Sequence, residues 1–179
     1  MAVRGDIAFD EFNANPFHLF NCRWFLLASG DYSSGWFNAM TVSWGYIGVM
    51  WGVPSAIVAV RPQRYTLEFI QNCDSFTLSA FDESCRKALE LCGSRSGRKL
   101  DKIAAAGLTP EAAQSVSSPV FREAELVLEC RKVYHGEFLP EGFTDGRIPA
   151  KVYPDRDFHR FFAGEITRIA GVPGFKQSN

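Results

Sequence analysis

The residues of this chain whose types and spacing could do chemistry begin in the segment 38–44, which reads NAMTVSW. If this segment forms a β-strand, alternate side chains project to opposite faces, so Thr41 and Ser43 share one face with the bare backbone of Gly45. A buried hydroxyl without a partner costs about 1–3 kcal/mol, so this face suits a polar ligand that lies close to the backbone. The alternative is an ordinary strand whose hydroxyl face meets water.

Two further segments combine cations with hydroxyl groups. In the segment 61–66 (RPQRYT), two arginines precede a short helical pattern for which Thr66 is the predicted N-cap. The segment 94–99 (SRSGRK) leads into a helical run predicted over 100–106. Cations and free N–H groups at the start of a helix are what a phosphate group needs. For the first segment, an arginine pair solvated on a turn is the alternative.

The segment 76–81 (FTLSAF) repeats the alternation of the first strand, with Thr77 and Ser79 in the places of its hydroxyls. We therefore expect four segments to converge on one phosphorylated, flat ligand. No Ser-His-Asp elbow, paired acidic motif or metal cluster offers another active site, so we predict no metal. The spacing of a Walker loop is absent, and no G-x-G-x-x-G follows a strand, which argues against a Rossmann dinucleotide domain.

The length, composition and charge of the chain indicate which class of protein it is and which partners it does not bind. With 179 residues and 20.0 kDa it fits one domain, and 46% hydrophobic with 22% charged residues describe a folded protein. Its 16 Phe, 5 Tyr and 4 Trp suit a barrel core, a dimer interface or a flat aromatic ligand. A formal net charge of -1 predicts no nucleic-acid partner and no attraction to an anionic membrane.

Cysteine usage indicates the compartment. The cysteines form no C-x-x-C pair and no zinc-type spacing with histidine, and no charged-then-apolar leader opens the chain. We therefore expect a reduced, cytoplasmic protein. Glycines and Pro54 interrupt the longest apolar stretch, 44–60, which argues against a membrane span there.

Short strands dominate the predicted organisation. Strands are predicted at 24–29, 38–44 and 56–60, and their short links favour antiparallel pairing. We expect a mainly β fold with inserted helices, arranged as a small antiparallel barrel. The other predicted elements are a strand at 76–81, a helix at 83–93, a loop at 108–119, strands over 125–138 and 158–169, and a surface excursion at 139–157.

The chain also contains a series of motifs that resembles a known family. In order they are N-x-M-T-x-S-W at 38–44, VRPxRYT at 60–66, FTL at 76–78, Cys92-Gly93 with SGR at 96–98 and DK at 101–102, and His159 with Gly164-Glu165. This series resembles the flavin reductase-like FMN-binding split barrels, and most closely the flavoredoxin group, from about residue 15 to residue 169. The resemblance implies an antiparallel split β-barrel, usually a homodimer. It also implies a bound FMN that is reduced by NAD(P)H or a redox protein and passes electrons on.

The same resemblance implies which residues contact the FMN. The segment 38–44 would follow the isoalloxazine ring and ribityl chain, and the segments 61–66 and 96–98 would meet the phosphate. The chain departs from the usual pattern at Lys99, where the group more often has Asp, and at Ile103, where it more often has Phe. The implied cofactor-binding residues are Asn38, Ala39, Met40, Thr41, Ser43, Trp44, Arg61, Arg64, Tyr65, Thr66, Ser96, Gly97, Arg98 and Lys102.

Several functions stay open at this point. The chain is predicted to be an FMN-dependent oxidoreductase, but an electron-carrier module without reductase activity of its own fits the same residues. A split barrel that binds another flat cofactor, pyridoxal phosphate or haem, is a further alternative. His159 has either a structural role or a role near the flavin. Residues 1–15 are predicted to be an N-terminal arm, 16–170 the flavin reductase-like domain and 171–179 a C-terminal tail.

Overall fold

The computed structural model describes residues 3–177, and its largest feature is one eight-stranded antiparallel β-sheet. The alternation of apolar and polar residues predicted such strands, and their pairing is antiparallel throughout the sheet. The strands are β1 (Gly5–Asp6), β2 (Phe25–Asp31), β3 (Trp36–Val42), β4 (Gly45–Met50), β5 (Val53–Val60), β6 (Ser75–Ala80), β7 (Pro110–Glu111), β8 (Val120–Phe121), β9 (Leu126–Glu137) and β10 (Arg160–Gly171); β7 and β8 form a separate pair.

The two edges of the sheet explain its shape. The strand order is β3-β2-β6-β9-β10-β5-β4, with β1 added to β10. The edge strands β3 and β4 are consecutive in the chain, with only Ser43 and Trp44 between them. The edges therefore meet at this link, although no ladder in the described residues pairs β3 with β4. This arrangement is a split β-barrel, so the predicted fold class is confirmed.

Short helices fill the links between the strands. The backbone amide of His18 donates to the side chain of Asn15 at 3.2 Å, which caps the first helix. The helices are α1 (Pro16–His18), a π-helix at Leu19–Arg23, α2 (Thr66–Asn72), α3 (Arg86–Ser94) after a 3-10 turn at Glu83–Cys85, α4 (Lys102–Ala105) and α5 (Arg147–Val152), with 3-10 turns at Pro140–Gly142 and Pro173–Phe175.

Two apolar cores lie on opposite faces of β2 and β3. Phe25 and Met40 belong to the core inside the barrel. Leu26 and Ala39 belong to a second core, which packs against α3 through Leu89. Burial of each large apolar side chain stabilises the fold by about 1.5–3 kcal/mol. Because both faces of β3 are covered in this way, its edge is the part that remains open.

Strand β4 was not predicted, because Gly45 and Gly48 resemble loop residues. Packing explains Gly45, since a Cβ atom there would lie 2.6 Å from Cε1 of Phe20. The turn after β4 has positive φ angles at Trp51 (55°) and Gly52 (76°). This backbone is typical of a tight two-residue hairpin turn, which joins β4 to β5.

Described residues of the predicted arm and of the predicted tail meet on the barrel. Of the described residues in the predicted arm at 1–15, β1 pairs with β10 and Ile7 is buried. The amide of Gln177, in the predicted tail, donates to the carbonyl of Glu11 at 2.8 Å. Arm and tail therefore pack against each other and against β10.

Candidate functional site

The open edge of β3 is the centre of the candidate site. Within residues 3–177, β3 pairs with β2 on one side only, so alternate residues direct their N–H and C=O groups into the split of the barrel. The side chains of Ala39 and Met40 are 0% and 5% exposed in the two cores. Only the backbone of these two residues can meet a ligand in the split.

Thr41 is covered by a helix. Its hydroxyl donates to the carbonyl of Leu89 at 2.5 Å. A Cβ atom on Gly93 would lie only 3.2 Å from Cβ of Thr41, so α3 packs closely against this side chain. The face of β3 on which we expected a ligand is therefore occupied by α3, and the Thr41 hydroxyl anchors that helix.

Asn38 joins β3 to both segments that were expected to bind phosphate. Its Nδ2 donates to Oγ1 of Thr66 at 2.9 Å, and both side chains are buried. A Cβ atom on Gly97 would lie 2.6 Å from Oδ1 of Asn38 and 3.1 Å from Cδ1 of Tyr65, so a glycine is needed for this approach. Asn38, Tyr65, Thr66 and Gly97 are thus brought together.

The predicted N-cap of α2 needs correction. Thr66 is the first residue of α2, and the N-cap is Tyr65, which makes no side-chain cap hydrogen bond. The Thr66 hydroxyl accepts the hydrogen bond from Asn38 instead. Thr66 therefore fixes the helix on the edge strand, which its position before a helical pattern did not predict.

The loop 95–99 follows the C-terminal end of α3. We expected this loop to lie at the positive start of a helix over 100–106, but α4 is a single turn that begins at Lys102. The side chain of Asp101 caps it by accepting from the amide of Ala104 at 3.1 Å. A four-residue helix has little macrodipole to offer an anion. Side chains must therefore supply most of the positive charge at this loop.

Two cations bind the carbonyl groups at the end of α3. Nη1 of Arg64 donates to the carbonyl of Gly93 at 2.7 Å. Nζ of Lys102 donates to the carbonyls of Cys92 at 2.9 Å and Arg95 at 3.2 Å. Cations are favourable at this end of a helix because its free carbonyls carry partial negative charge.

Lys102 is buried, with 4% of its surface exposed. Burial lowers its pKa from 10.5 to about 8; the nearby Cys92 thiol opposes this shift and the Arg64 guanidinium adds to it. The amine uses two of its three N–H donors on these backbone carbonyls. Its geometry is that of a residue which positions the loop 95–99.

Arg98 and Ser96 are exposed on the outer side of the same loop. The guanidinium of Arg98 pairs with the carboxylate of Glu68 and lies over the ring of Tyr65, with Cζ 4.6 Å from the ring centroid. Oγ of Ser96 accepts from the amide of Arg98 at 3.3 Å. Beside them opens a cavity of about 460 Å³, whose lining includes Asn38, Tyr65, Gly97 and Lys102.

Arg61 is directed away from this cavity. Its guanidinium pairs with Asp157 and donates to the carbonyl of Val152 at 3.0 Å. Its Cζ also lies 5.5 Å from the ring centroid of Tyr153. Arg61 thus holds the excursion at 139–157, while Arg64 goes to α3. Nothing local in the sequence pointed to Asp157, which is 96 residues from Arg61.

Ser43 and Trp44 are exposed at the other end of the split. They line a cavity of about 1060 Å³, which we call the aromatic cavity. Its wall is mainly apolar and combines the α1 segment, β4 and β5 with the excursion 139–157. Its aromatic lining residues are Phe17, Phe20, Trp44, Tyr46, Phe138, Phe143, Tyr153 and Phe161.

His159 supports Trp44 from behind. The ring centroids of Trp44 and His159 are 4.7 Å apart, and Nδ1 of His159 is 2.9 Å from the hydroxyl of Tyr153. Burial, together with the nearby guanidinium groups of Arg61 and Arg64, lowers the pKa of His159 to about 4. The imidazole is therefore neutral at neutral pH, and its contacts fit the structural role that was one of the two expectations.

Thr77 and Ser79 do not join the candidate site. Both are fully buried in β6, and the hydroxyl of Thr77 donates to the carbonyl of Pro119 at 2.5 Å. This bond fixes the stretch before β8 on the sheet. The repeated hydroxyl pattern therefore reflects packing on β6, and the expectation of four converging segments reduces to three.

The described residues also bear on metal sites and on membrane-spanning helices. Among residues 3–177, no group of His, Cys, Asp or Glu side chains is arranged to hold a metal ion. Within the same range, every helix is too short or too polar to cross a membrane.

Comparison with known proteins decides the family. The model of the flavin reductase like domain family matches residues 23–177. This chain belongs to that family. An uncharacterized protein from Archaeoglobus fulgidus is 26% identical over 159 residues, which are 89% of this chain and 77% of that protein.

Solved structures of flavin-binding proteins share the fold. The flavoredoxin of Desulfovibrio vulgaris (Miyazaki F) matches with a TM-score of 0.65 and 24% identity, over 84% of this chain and 70% of that one. The FMN-binding domain of a flavin reductases-like enzyme from Shewanella baltica OS155 matches with a TM-score of 0.67 and 16% identity, over 95% of this chain and 78% of that one. The predicted membership of the flavin reductase-like family is confirmed.

Proposed function

We propose that this chain binds FMN and acts as an oxidoreductase of the flavoredoxin or flavin reductase type. It takes electrons from NAD(P)H or a redox protein and passes them through FMN to an acceptor. The observation that carries this proposal is the open edge of β3, which has a cationic loop at one end and an aromatic cavity at the other. A long, flat molecule with one phosphate end matches that division.

The phosphate end of the FMN belongs at the loop 95–99 in this proposal. The close approach of Gly97 to Asn38 brings the loop beside the start of α2. Exposed guanidinium and hydroxyl groups there supply charge-assisted hydrogen bonds, which are the strong ones for a phosphate. The residues proposed to hold the phosphate are Arg64, Tyr65, Thr66, Ser96, Gly97 and Arg98, with Lys102 holding the loop.

The ring end belongs at the open edge of β3, with one face of the ring toward the aromatic cavity. Backbone N–H and C=O groups of the edge, together with the Ser43 hydroxyl, orient the polar edge of the ring. Trp44, held by His159, covers apolar surface and excludes water. Bound flavin supplies the electron transfer, and the chain supplies binding, orientation and electrostatics.

We further propose a cytoplasmic homodimer. Exposed apolar side chains cluster around the hairpin of β4 and β5, including Tyr46, Val49 and Trp51, with Tyr134 against Trp51. A surface of this kind is typical of a protein interface. All five cysteines are unpaired, which suits a reducing compartment. We keep the domain boundaries predicted above, 1–15, 16–170 and 171–179, as part of this proposal.

A titration tests the cofactor. The purified protein should be yellow, or should quench FMN fluorescence at equimolar ratio after FMN is added. Pyridoxal phosphate and haem serve as competitors. Failure to bind FMN, or tighter binding of either competitor, would contradict the proposed cofactor.

Stopped-flow mixing then tests the donor. NADH and NADPH are mixed separately with the anaerobic holoprotein while the flavin absorption band is followed. Rapid bleaching by a nicotinamide supports a reductase. Bleaching by a reduced redox protein alone would replace the reductase with an electron carrier.

A further inference from the structure

The wall of the aromatic cavity carries no carboxylate, lysine or arginine among the described residues. Its polar side chains include His18, Asn21 and Ser43, and the rest of the wall is mainly aromatic or aliphatic. This composition differs from that of the smaller cavity, whose lining includes Asp101 and Lys102. The two ends of the split therefore suit ligand groups of different charge.

Three arginines adjoin residues of the cavity wall in sequence, and each pairs with a carboxylate: Arg23 with Glu125, Arg147 with Asp145 and Arg160 with Glu137. The two arginines that follow β5 are also engaged. Arg61 lies behind Tyr153 and pairs with Asp157, and Arg64 donates to the carbonyl of Gly93. An anionic ligand in the aromatic cavity would lose its hydration without gaining an ionic partner, which is costly. A flat neutral ring would instead stack on the aromatic side chains and bury apolar surface.

We propose that the aromatic cavity binds the electron acceptor, and that this acceptor is an uncharged quinone. The proposal rests on the proposed function, because the electrons come from FMN that has been reduced by its donor. A quinone is neutral when oxidised and, after it takes up protons, neutral when reduced. Neither form therefore brings a charge into the cavity.

The step balances with the components named. The quinone accepts two electrons and two protons and leaves as the hydroquinone, and the reduced flavin returns to its oxidised form. The electrons originate from NAD(P)H or the redox protein, and the protons come from that donor and water. Oxidised quinone enters again from solution through the open side of the cavity.

Equilibrium dialysis tests the charge preference directly. The holoprotein with oxidised FMN is dialysed against hydroxymethylanthraquinone and, separately, against anthraquinone sulfonate. Both lack a ring carbon that a thiol attacks readily, so Cys22 in the cavity wall does not react. We expect the neutral compound to bind at least about tenfold more tightly. Equal binding, or tighter binding of the sulfonate, would overturn the proposal.

Ile148 provides a matched pair of variants. It lines the cavity from α5 and is 46% exposed, so a polar side chain is tolerated there. Ile148→Lys should reduce the preference for the neutral compound by at least about tenfold, because it places a cation in the wall. Ile148→Gln adds polarity without charge and should keep the preference. The same ratio in both variants would show that the compounds bind elsewhere.

Reoxidation of the flavin tests the chemistry. The holoprotein is reduced with dithionite without oxygen and mixed with duroquinone, whose ring carbons are all methylated. Equimolar hydroquinone and recovery of the oxidised flavin band are expected. Absence of reoxidation would overturn the proposal.

Further measurements separate this proposal from the proposed function. Failure of the protein to bind FMN would overturn both. FMN binding without a charge preference for the anthraquinones would overturn the quinone site alone. Displacement of the neutral anthraquinone by NADH would also overturn the quinone site alone. So would dissociation of a homodimer by Ile148→Lys. In those cases the cavity belongs to the nicotinamide or to the subunit interface.

Discussion

At the scale of single residues, Arg98 combines an exposed guanidinium with a place in the loop beside Asn38 and Tyr65. Arg98→Ala should weaken FMN binding by about 1.5–3 kcal/mol, because a charge-assisted contact to the phosphate is lost. This loss corresponds to roughly a 10- to 150-fold higher Kd, measured by FMN fluorescence titration.

The neighbouring Lys99 supplies the control for this prediction. It is also exposed in the loop 95–99, and the group that this chain resembles more often has Asp at that position. Lys99→Ala should change the affinity for FMN by less than about threefold, as expected for a screened surface charge. An unchanged Kd in Arg98→Ala would remove Arg98 from the phosphate site.

The lowered pKa of Lys102 predicts that the free energy of unfolding and the affinity for FMN change with pH in opposite directions. Its pKa is lowered by burial to about 8, so the unfolded chain binds more protons than the folded one between about 8 and 10.5. The free energy of unfolding should therefore rise with pH through this window, as far as Lys102 contributes. FMN affinity should fall as pH rises through about 8, because the cavity loses a positive charge.

Lys132 provides the control that assigns the pH dependence of FMN affinity to Lys102. Its amine donates to the carbonyls of Ile70 and Gln71 at the end of α2, and burial lowers its pKa as well. Lys102→Met should flatten the pH profile of FMN affinity, whereas Lys132→Met should retain it. Burial raises the pKa of the adjacent Cys92 thiol, so that group does not explain a change near 8. A profile unaltered by Lys102→Met would contradict the assignment.

At the scale of elements, the site depends on how closely the loop 95–99 approaches β3. A Cβ atom at position 97 would lie 2.6 Å from Oδ1 of Asn38, which itself binds Thr66 in α2. Gly97→Ala should therefore displace the loop and weaken FMN binding by at least about tenfold, since misplaced ligands lose directed hydrogen bonds. The measurement is again the Kd for FMN, together with the Tm of the apoprotein.

Gly146 is the matched control for this substitution. Its φ angle is -61°, and a Cβ atom there would meet nothing within 4 Å. Gly146→Ala should leave the affinity for FMN unchanged. If Gly97→Ala binds FMN as tightly as Gly146→Ala, the loop is not part of the phosphate site.

At the scale of the whole molecule, the hairpin of β4 and β5 is proposed to form the dimer interface. Trp51 at its tip is 63% exposed and has a φ angle of 55°, which Asn accepts well. Trp51→Asn should raise the dimer dissociation constant at least about tenfold, because large aromatic residues carry much of the energy of an interface. Sedimentation velocity at several concentrations measures it.

An exposed aromatic residue outside the hairpin tests whether this effect is specific. Phe9 is 46% exposed, and Phe9→Asn should leave the dissociation constant unchanged. A monomeric parent protein at high concentration, or equal effects of both substitutions, would contradict the proposed interface.

The sequence by itself determined six of the ten strands and the family, whereas β1, β4, β7 and β8 were not predicted. Alternation of side chains follows from the two-residue period of a β-strand, so β3, β5 and β6 were predicted within a few residues of their bounds. The motif series carried enough information for the split barrel, because its residues occur in a fixed order along the chain. These features depend on local spacing, which a sequence displays directly.

Only the tertiary structure decided what each polar side chain does. Thr41 and Ser43 looked equivalent on one face of a strand, yet the first lies under α3 and the second is exposed in the aromatic cavity. The hydrogen-bond partner of Thr41 is 48 residues away, and that of Arg61 is 96 residues away. Local alternation defines two faces of a strand, but long-range packing decides which element covers each face.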